Sequence, residues 1–365
     1  MLNRTKMMQQ IHQAVPQAMR NRHDEIVIAQ RLWRQIVSDL EQQEDLKVGL
    51  ETYQNALRWQ GALSNSIEIS LLKEPYTIMG VDGSQIYADR HTGSNWYVIN
   101  IGSITLQYGV VKSSVHFDSF PQMFAGIADD SRPEMIDAQR SVLELQYGYD
   151  LLLRYKHEKS LLLVDGPLQF FNKNASSYSE NYIQTLQRFY EDDLLIAGYT
   201  SMPASRDLLS ICNTMSNMHT YPSVYDRDIV ISFLKPGYRS TMFLYASSDR
   251  EQYPPMLQPW FLYINNGYEI GRIEIPYYIA QNAAKVALVV SMIFDQIIKG
   301  QGYPICLAEA HEQAVIKEID RMFFYDMLQA TVSQNNAELG NDFQVSMHQS
   351  YQPSQKLMRK KRALL

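Results

Sequence analysis

Hydrophobic positions recur along this chain with changing period, and each change marks a change of predicted element. Through residues 1 to about 60, apolar side chains return at helical spacing, at Ile26, Ile28, Leu32, Trp33, Ile36 and Leu40, among glutamines and charges. That spacing predicts one or two amphipathic helices. After Lys73 the pattern becomes that of strands. Residues 76–82, 96–108 and 110–117 read as extended segments, with Gly83, Gly93 and Gly109 where tight turns would join them. Residues 132–155 return to the helical period, with Val142, Leu145, Tyr149 and Leu152 on one stripe. Residues 161–164 are apolar without interruption and end in Asp165-Gly166-Pro167, as expected of a central strand covered on both faces. Further helices are predicted over 178–190, 203–212 (opened by Pro203), 279–298 and 304–328. Further strands are predicted over 194–199, 242–245, 260–264 and 269–275. From Ser333 onward the chain is polar and ends in a basic run over 356–362, which reads as a disordered tail.

Three strands joined by tight turns, followed by alternating helices and strands, specify an α/β protein: a mixed sheet with helices on both faces. The ribonuclease H-like fold has this layout, and other α/β folds share it. The expected organisation is an N-terminal helical arm over 1–70, one α/β domain over 71–330 and a tail over 331–365. The arm is either a solvated hairpin on the core or a segment that docks a partner.

Composition narrows the setting. With 365 residues, 45% of them apolar, the chain can bury a sizeable core. Its two cysteines, Cys212 and Cys306, lie far apart without metal-ligand spacing, which fits a reducing compartment. The polar N-terminus does not resemble a signal peptide, and the apolar segment 283–298 is broken by Lys285, Ser291, Asp295 and Gln296. No membrane association and a cytoplasmic location are therefore expected. The net charge of −6 requires any nucleic-acid surface to concentrate its Lys and Arg locally. No phosphate loop, dinucleotide fingerprint, zinc spacing or nucleophile elbow is present.

The candidate chemistry lies in carboxylates at strand ends. Asp82 closes the first strand in Gly80-Val-Asp-Gly-Ser84, and Asp165 closes the apolar one in Val164-Asp-Gly-Pro-Leu168. If these strands are neighbours, the two carboxylates converge, and a hard cation such as Mg2+ or Mn2+ relieves their repulsion. Asp-Gly is also an ordinary turn dipeptide, so each aspartate alone has a plain structural explanation. Glu144 flanks the apolar stripe of its helix and would serve as a third oxygen ligand. His311, with Leu307, Ala308, Ala314 and Val315 one helical turn away, is expected to point inward. There it is either a core residue or, if it faces the carboxylates, a metal ligand or proton carrier. Arg206, Arg239 and the Arg272-Ile-Glu274 run are candidates for phosphate contact or structural ion pairing.

In their order along strand, helix, strand and final helix, Asp82, Glu144, Asp165 and His311 resemble the NurA nuclease family. The strings Val81-Asp-Gly-Ser-Gln85, Leu143-Glu-Leu145, Leu163-Val-Asp-Gly-Pro-Leu168, Ala197-Gly-Tyr199, Arg272-Ile-Glu-Ile-Pro276 and Glu309-Ala-His311 extend the likeness over roughly residues 76–325. The resemblance implies a ribonuclease H-like core and a DNA endo/exonuclease using Mn2+ or Mg2+, two ions held by those four residues. It also implies a homodimer and partnership with HerA, a hexameric ATPase, in DNA end processing or phage defence. Arg206 and Arg239 are then candidate DNA contacts. Where some members carry a lysine, this chain has Ser201. The competing readings are a non-catalytic dimeric adapter of the ATPase ring and an actin-like phosphotransferase; the latter requires a second related domain, and no duplicated Asp-Gly unit with matching flanks is present.

Overall fold

The computed structural model describes residues 2–39, 41, 43–44, 46–47, 57–88, 95–109, 112–125, 132–155, 157–170, 176–215, 221–245 and 251–339. In chain order they form helix α1 (Arg4–Ser38), strands β1 (Arg58–Trp59), β2 (Ser66–Glu68), β3 (Tyr76–Ile86), β4 (Trp96–Tyr108) and β5 (Ser114–Ala125), helix α2 (Pro133–Tyr155), strand β6 (Ser160–Asp165), helix α3 (Ser176–Glu191) and strand β7 (Leu195–Ser201). There follow helices α4 (Asp207–Met215) and α5 (Asp226–Val230), strands β8 (Tyr238–Ser240), β9 (Phe243–Leu244), β10 (Pro259–Asn265) and β11 (Ile270–Pro276), and helices α6 (Tyr277–Ala280), α7 (Ala283–Lys299), α8 (Ile305–Ala314) and α9 (Glu318–Leu339). By their contacts they fall into two units. The β3 unit comprises Glu74–Val164, Phe170–Leu194 and Cys306–Leu365; the β10 unit comprises Met1–Lys73, Asp165–Gln169 and Leu195–Ile305.

In the β3 unit, β3, β4 and β5 form an antiparallel meander, and β6 returns parallel to β3 with Val81 opposite Val164. The helix between β5 and β6 makes this a crossover, so the order β5–β4–β3–β6 is the ribonuclease H-like arrangement anticipated from the sequence. Strand β3 is buried on both faces through Val81. Helix α2 covers one face: Tyr147 donates to Asp118 at 2.6 Å and stacks on Phe120. Helix α8 covers the other. There Gly80 and Gly102 carry no side chain; a Cβ would stand 2.2 Å from the Cys306 carbonyl oxygen at Gly80 and 2.1 Å from the Ala314 nitrogen at Gly102. The helix backbone therefore lies directly on the strands.

In the β10 unit, β10 and β11 form an antiparallel hairpin, β7 pairs antiparallel with β11, and the short strands β8 and β9 pair with β10. The C-terminal half of α1 buries Ala29, Trp33 and Ile36 in the core of this unit. Its N-terminal half exposes Met8, Ile11, Val15 and Met19.

The sequence expectations fail where partners elsewhere in the chain set the boundaries: the strand expected to close at Asp82 in a Gly83 turn runs on to Ile86, because β4 pairs with it throughout. The strand expected over 110–117 starts at Ser114 and runs to Ala125. The helix expected from Pro203 starts at Asp207, because the Asp226 carboxylate accepts the N–H groups of Asp207 and Leu209. Residues 279–298 divide into α6 and α7, since Asn282 accepts from the N–H groups of Ala284 and Lys285 and opens a new helix. Residues 304–328 divide into α8 and α9 at the Ala314 carbonyl, which side chains of β3 and β4 hold. Strands β1, β2 and β8 are too short to show a period. Leu40, Gly93 and the basic run 356–362 lie outside the described residues. Among the described residues no helix is long and apolar enough to cross a membrane.

The contact between α8 and the sheet gives a first prediction. Gly102→Ala forces α8 off β4 and lowers unfolding free energy by about 1–3 kcal/mol. Urea denaturation followed by circular dichroism measures it; an unchanged midpoint contradicts the packing.

Candidate functional site

Strand alternation sorts the residues of β3. Gly80, Asp82 and Ser84 face α8, whereas Gly83 faces α2. With Gly102 paired to Asp82 across the ladder, α8 comes close enough for His311 Nδ1 to lie 2.7 Å from Asp82 Oδ2. Asp82 Oδ1 accepts the Gly83 N–H at 2.8 Å. The end of α8 is tied down by β3 and β4: Asn100 donates to the Ala314 carbonyl at 2.9 Å, and Ser84 donates to the same oxygen. These side chains satisfy a C-terminal carbonyl that the helix itself cannot.

His311 is not the inward-facing residue that its helical neighbours suggested. The buried face of α8 is Cys306, Leu307, Ala310 and Ala314, and the His311 side chain is 61% exposed. Because its Nδ1 serves the Asp82 carboxylate, Nε2 is left available for a ligand or a proton.

On the other face of β3, Glu144 lies over Gly83, where a Cβ would be 2.5 Å from Glu144 Oε1. Arg140, one turn earlier on α2, donates from Nη1 to the Gly83 carbonyl at 2.9 Å and brings Nε within 3.6 Å of Glu144 Oε1. Within this unit β6 pairs with β3 only as far as Val81, so Asp82 lies just beyond the parallel pairing. Sequence reasoning missed Arg140, Asn100 and the need for glycine at 83. The i, i+4 spacing of Arg140 and Glu144 was the available signal.

Asp165 is the last residue of β6, one beyond Val164, which itself pairs with the residue before Asp82. Its turn belongs to the β10 unit. Gly166 has φ +95°, and its N–H donates to the Tyr199 carbonyl at 2.8 Å. The Leu168 N–H donates to Glu274 at 3.0 Å. In the same unit Arg206 is exposed, its guanidinium 5.4 Å from the Tyr225 ring. Arg239 is half-buried and donates to the Ser240 carbonyl; burial lowers its pKa. The Arg272-Ile-Glu274 run is a buried ion pair, and Ser201 donates to Glu269 at 2.6 Å. Burial pushes the Cys212 and Cys306 thiols up to about 12, so neither is a reactive thiolate.

Among the described residues, no three His, Cys, Asp or Glu side chains gather closely enough to hold a metal ion as they stand. Asp82 is turned to His311, and Glu144 to Arg140. The donors are nonetheless hard carboxylate oxygens with one imidazole, a set that fits Mn2+ or Mg2+.

Solved structures of NurA share 11–12% identity with the chain. One covers 80% of this chain and 95% of its own, with a TM-score of 0.40. Another, bound to dAMP and manganese, covers 79% and 94%, with a TM-score of 0.36. No individually curated relative matches the sequence. The model of the NurA domain matches residues 76–316, a span that runs from β3 to the end of α8 and contains all four candidate site residues, and the chain belongs to this family.

Proposed function

We propose that the chain is a metal-dependent deoxyribonuclease that hydrolyses phosphodiester bonds at a site made by Asp82, Glu144, Asp165 and His311. The observation that carries this reading is the Asp82–His311 hydrogen bond on one face of β3, with Glu144 held over Gly83 on the other. Two Mn2+ or Mg2+ ions are expected; when bound, they supply positive charge that acidifies water and stabilises the leaving oxygen. Asp82, within β3, and Asp165, the last residue of β6, offer carboxylate oxygens. Glu144 completes the set when it turns from Arg140. His311 offers Nε2 to a ligand or a proton while its Nδ1 bond fixes the ring. Arg206, exposed, suits phosphate contact better than the half-buried Arg239.

The partners we infer are DNA, a second copy of the chain and a HerA-type hexameric ATPase, in end processing or phage defence. Exposed apolar residues supply surfaces for assembly: Met8, Ile11, Val15 and Met19 along α1, and Ile319, Met322, Phe323 and Met327 along α9. The competing adapter reading keeps assembly without cutting. Cleavage of end-labelled DNA with Mn2+, abolished by EDTA, decides between them.

Three outcomes are expected. Asp82→Asn and Asp165→Asn each abolish Mn2+-dependent cleavage while the fold persists; near-parental cutting by either rejects its assignment. His311→Ala reduces cleavage strongly but changes stability by no more than about 0.5 kcal/mol, since the side chain is exposed. Parallel cleavage and thermal-unfolding measurements separate this from a core role, in which stability falls and specific activity does not. Finally, a chain lacking residues 1–20 keeps basal cleavage but loses ATPase stimulation. A longer deletion through residue 60 would strip Trp33 and Ile36 from the core and test only folding. Undiminished co-elution of the shortened chain with the ATPase on size exclusion excludes α1 as the main dock.

A further inference from the structure

The turn after Asp165 has two backbone donors, because Pro167 has none, and both leave the turn for strands of the β10 unit. Gly166 donates to the Tyr199 carbonyl on β7, and Leu168 donates to Glu274 Oε2 on β11 at 3.0 Å. Register places Glu274 opposite Gly198. A Cβ at Gly198 would stand 2.4 Å from the Gly166 carbonyl oxygen and 3.2 Å from the Leu168 nitrogen, so the turn packs against bare backbone. Glu274 is itself held: its Oε1 accepts from Arg272 Nε at 2.9 Å. Arg272 Nη1 donates to Asp207 at 2.6 Å, and the guanidinium lies 3.6 Å from the Phe261 ring centroid. Arg272 and Glu274 are 3% and 2% exposed.

An ion pair this deeply buried costs desolvation that an apolar pair of similar size avoids, so core packing alone does not call for it. What an apolar pair lacks is an acceptor of fixed position for Leu168. We infer that the Arg272–Glu274 pair is a positioning device for Asp165, with Glu274 the positioning residue that sets where the aspartate leaves β6. Arg272 fixes the carboxylate, the carboxylate fixes Leu168, and Gly198 admits the turn. The inference rests on the proposed role of Asp165 as a metal ligand and adds that this ligand is aimed from β11.

The test compares Glu274→Gln, Gly198→Ala and Asp165→Asn with Ile229→Ala, a cavity variant in the core of the same unit that takes no part in the turn's hydrogen bonds. Mn2+ binding is read directly from the electron paramagnetic resonance signal of free Mn2+, and cleavage is titrated against Mn2+. Glutamine replaces an acceptor oxygen with an NH2 group and leaves either Leu168 or Arg272 without its partner. The expected result is an increase of about tenfold or more in the Mn2+ concentration for half-saturation, as for lost support of a metal ligand. Cleavage at saturating Mn2+ should recover to within a few-fold of parental. Ile229→Ala should lower melting temperature without moving the Mn2+ titration. A folded Glu274→Gln with parental Mn2+ affinity overturns the inference, as does an equal shift in Ile229→Ala. If Glu274→Gln does not fold, Gly198→Ala decides, because it presses on the turn and leaves the ion pair intact; parental affinity there overturns the inference. Parental binding and cleavage by Asp165→Asn remove the ligand reading and this inference with it. An impaired Asp165→Asn beside an unaffected Glu274→Gln removes the inference alone.

Discussion

Helix α8 rests on the backbone of β3 and β4 because Gly80 and Gly102 present no side chains to it, and the candidate site depends on that approach. With any larger residue at 102, the helix would stand off and His311 would leave hydrogen-bonding range of Asp82. The contact also ends the helix. Asn100 and Ser84 take the Ala314 carbonyl that would otherwise seek another helical N–H. Close packing, helix termination and the placing of His311 therefore have a common origin.

Charge is handled differently on the two faces of β3. Asp82 is met by an exposed histidine, and Glu144 by an arginine of its own helix. Each carboxylate thus has a positively charged or protonatable neighbour. The β10 unit instead buries its charge. Burial opposes the charge on Arg272, but the carboxylates of Glu274 and Asp207, with Tyr263 nearby, raise its pKa above the ordinary arginine range. Burial followed by the nearby Asp207 charge pushes the Asp226 carboxyl up, although backbone N–H groups and Tyr263 donate to it.

The surfaces carry a second division of labour. The N-terminal half of α1 and the outer face of α9 expose apolar side chains at helical spacing, which suits association with protein. An overall charge of −6 gives no general attraction for DNA, so any affinity for phosphate has to be local or shared with a partner.

Much of the fold was legible in the sequence because strand and helix periods are local properties. The meander, α2, the apolar strand β6 and the amphipathic α1 all follow from hydrophobic spacing, and Asp165 stands out as a carboxylate where a strand ends in a glycine turn; Asp82 reads the same way in the sequence, but β3 continues past it to Ile86. Tertiary structure decided what depends on distant neighbours. Helical spacing suggested an inward His311, but the glycines on β3 and β4 determine which face of α8 is covered, and His311 lies beside that face. Asp226 sets the start of α4 from nineteen residues downstream, and Asn100 and Ser84 set the end of α8 from more than two hundred residues upstream. The partner of Glu274 could not be read from its strand, since Leu168 becomes its neighbour only when β11 pairs with β7. Period reveals which elements form; close approach between elements, governed here by missing side chains, decides which atoms meet.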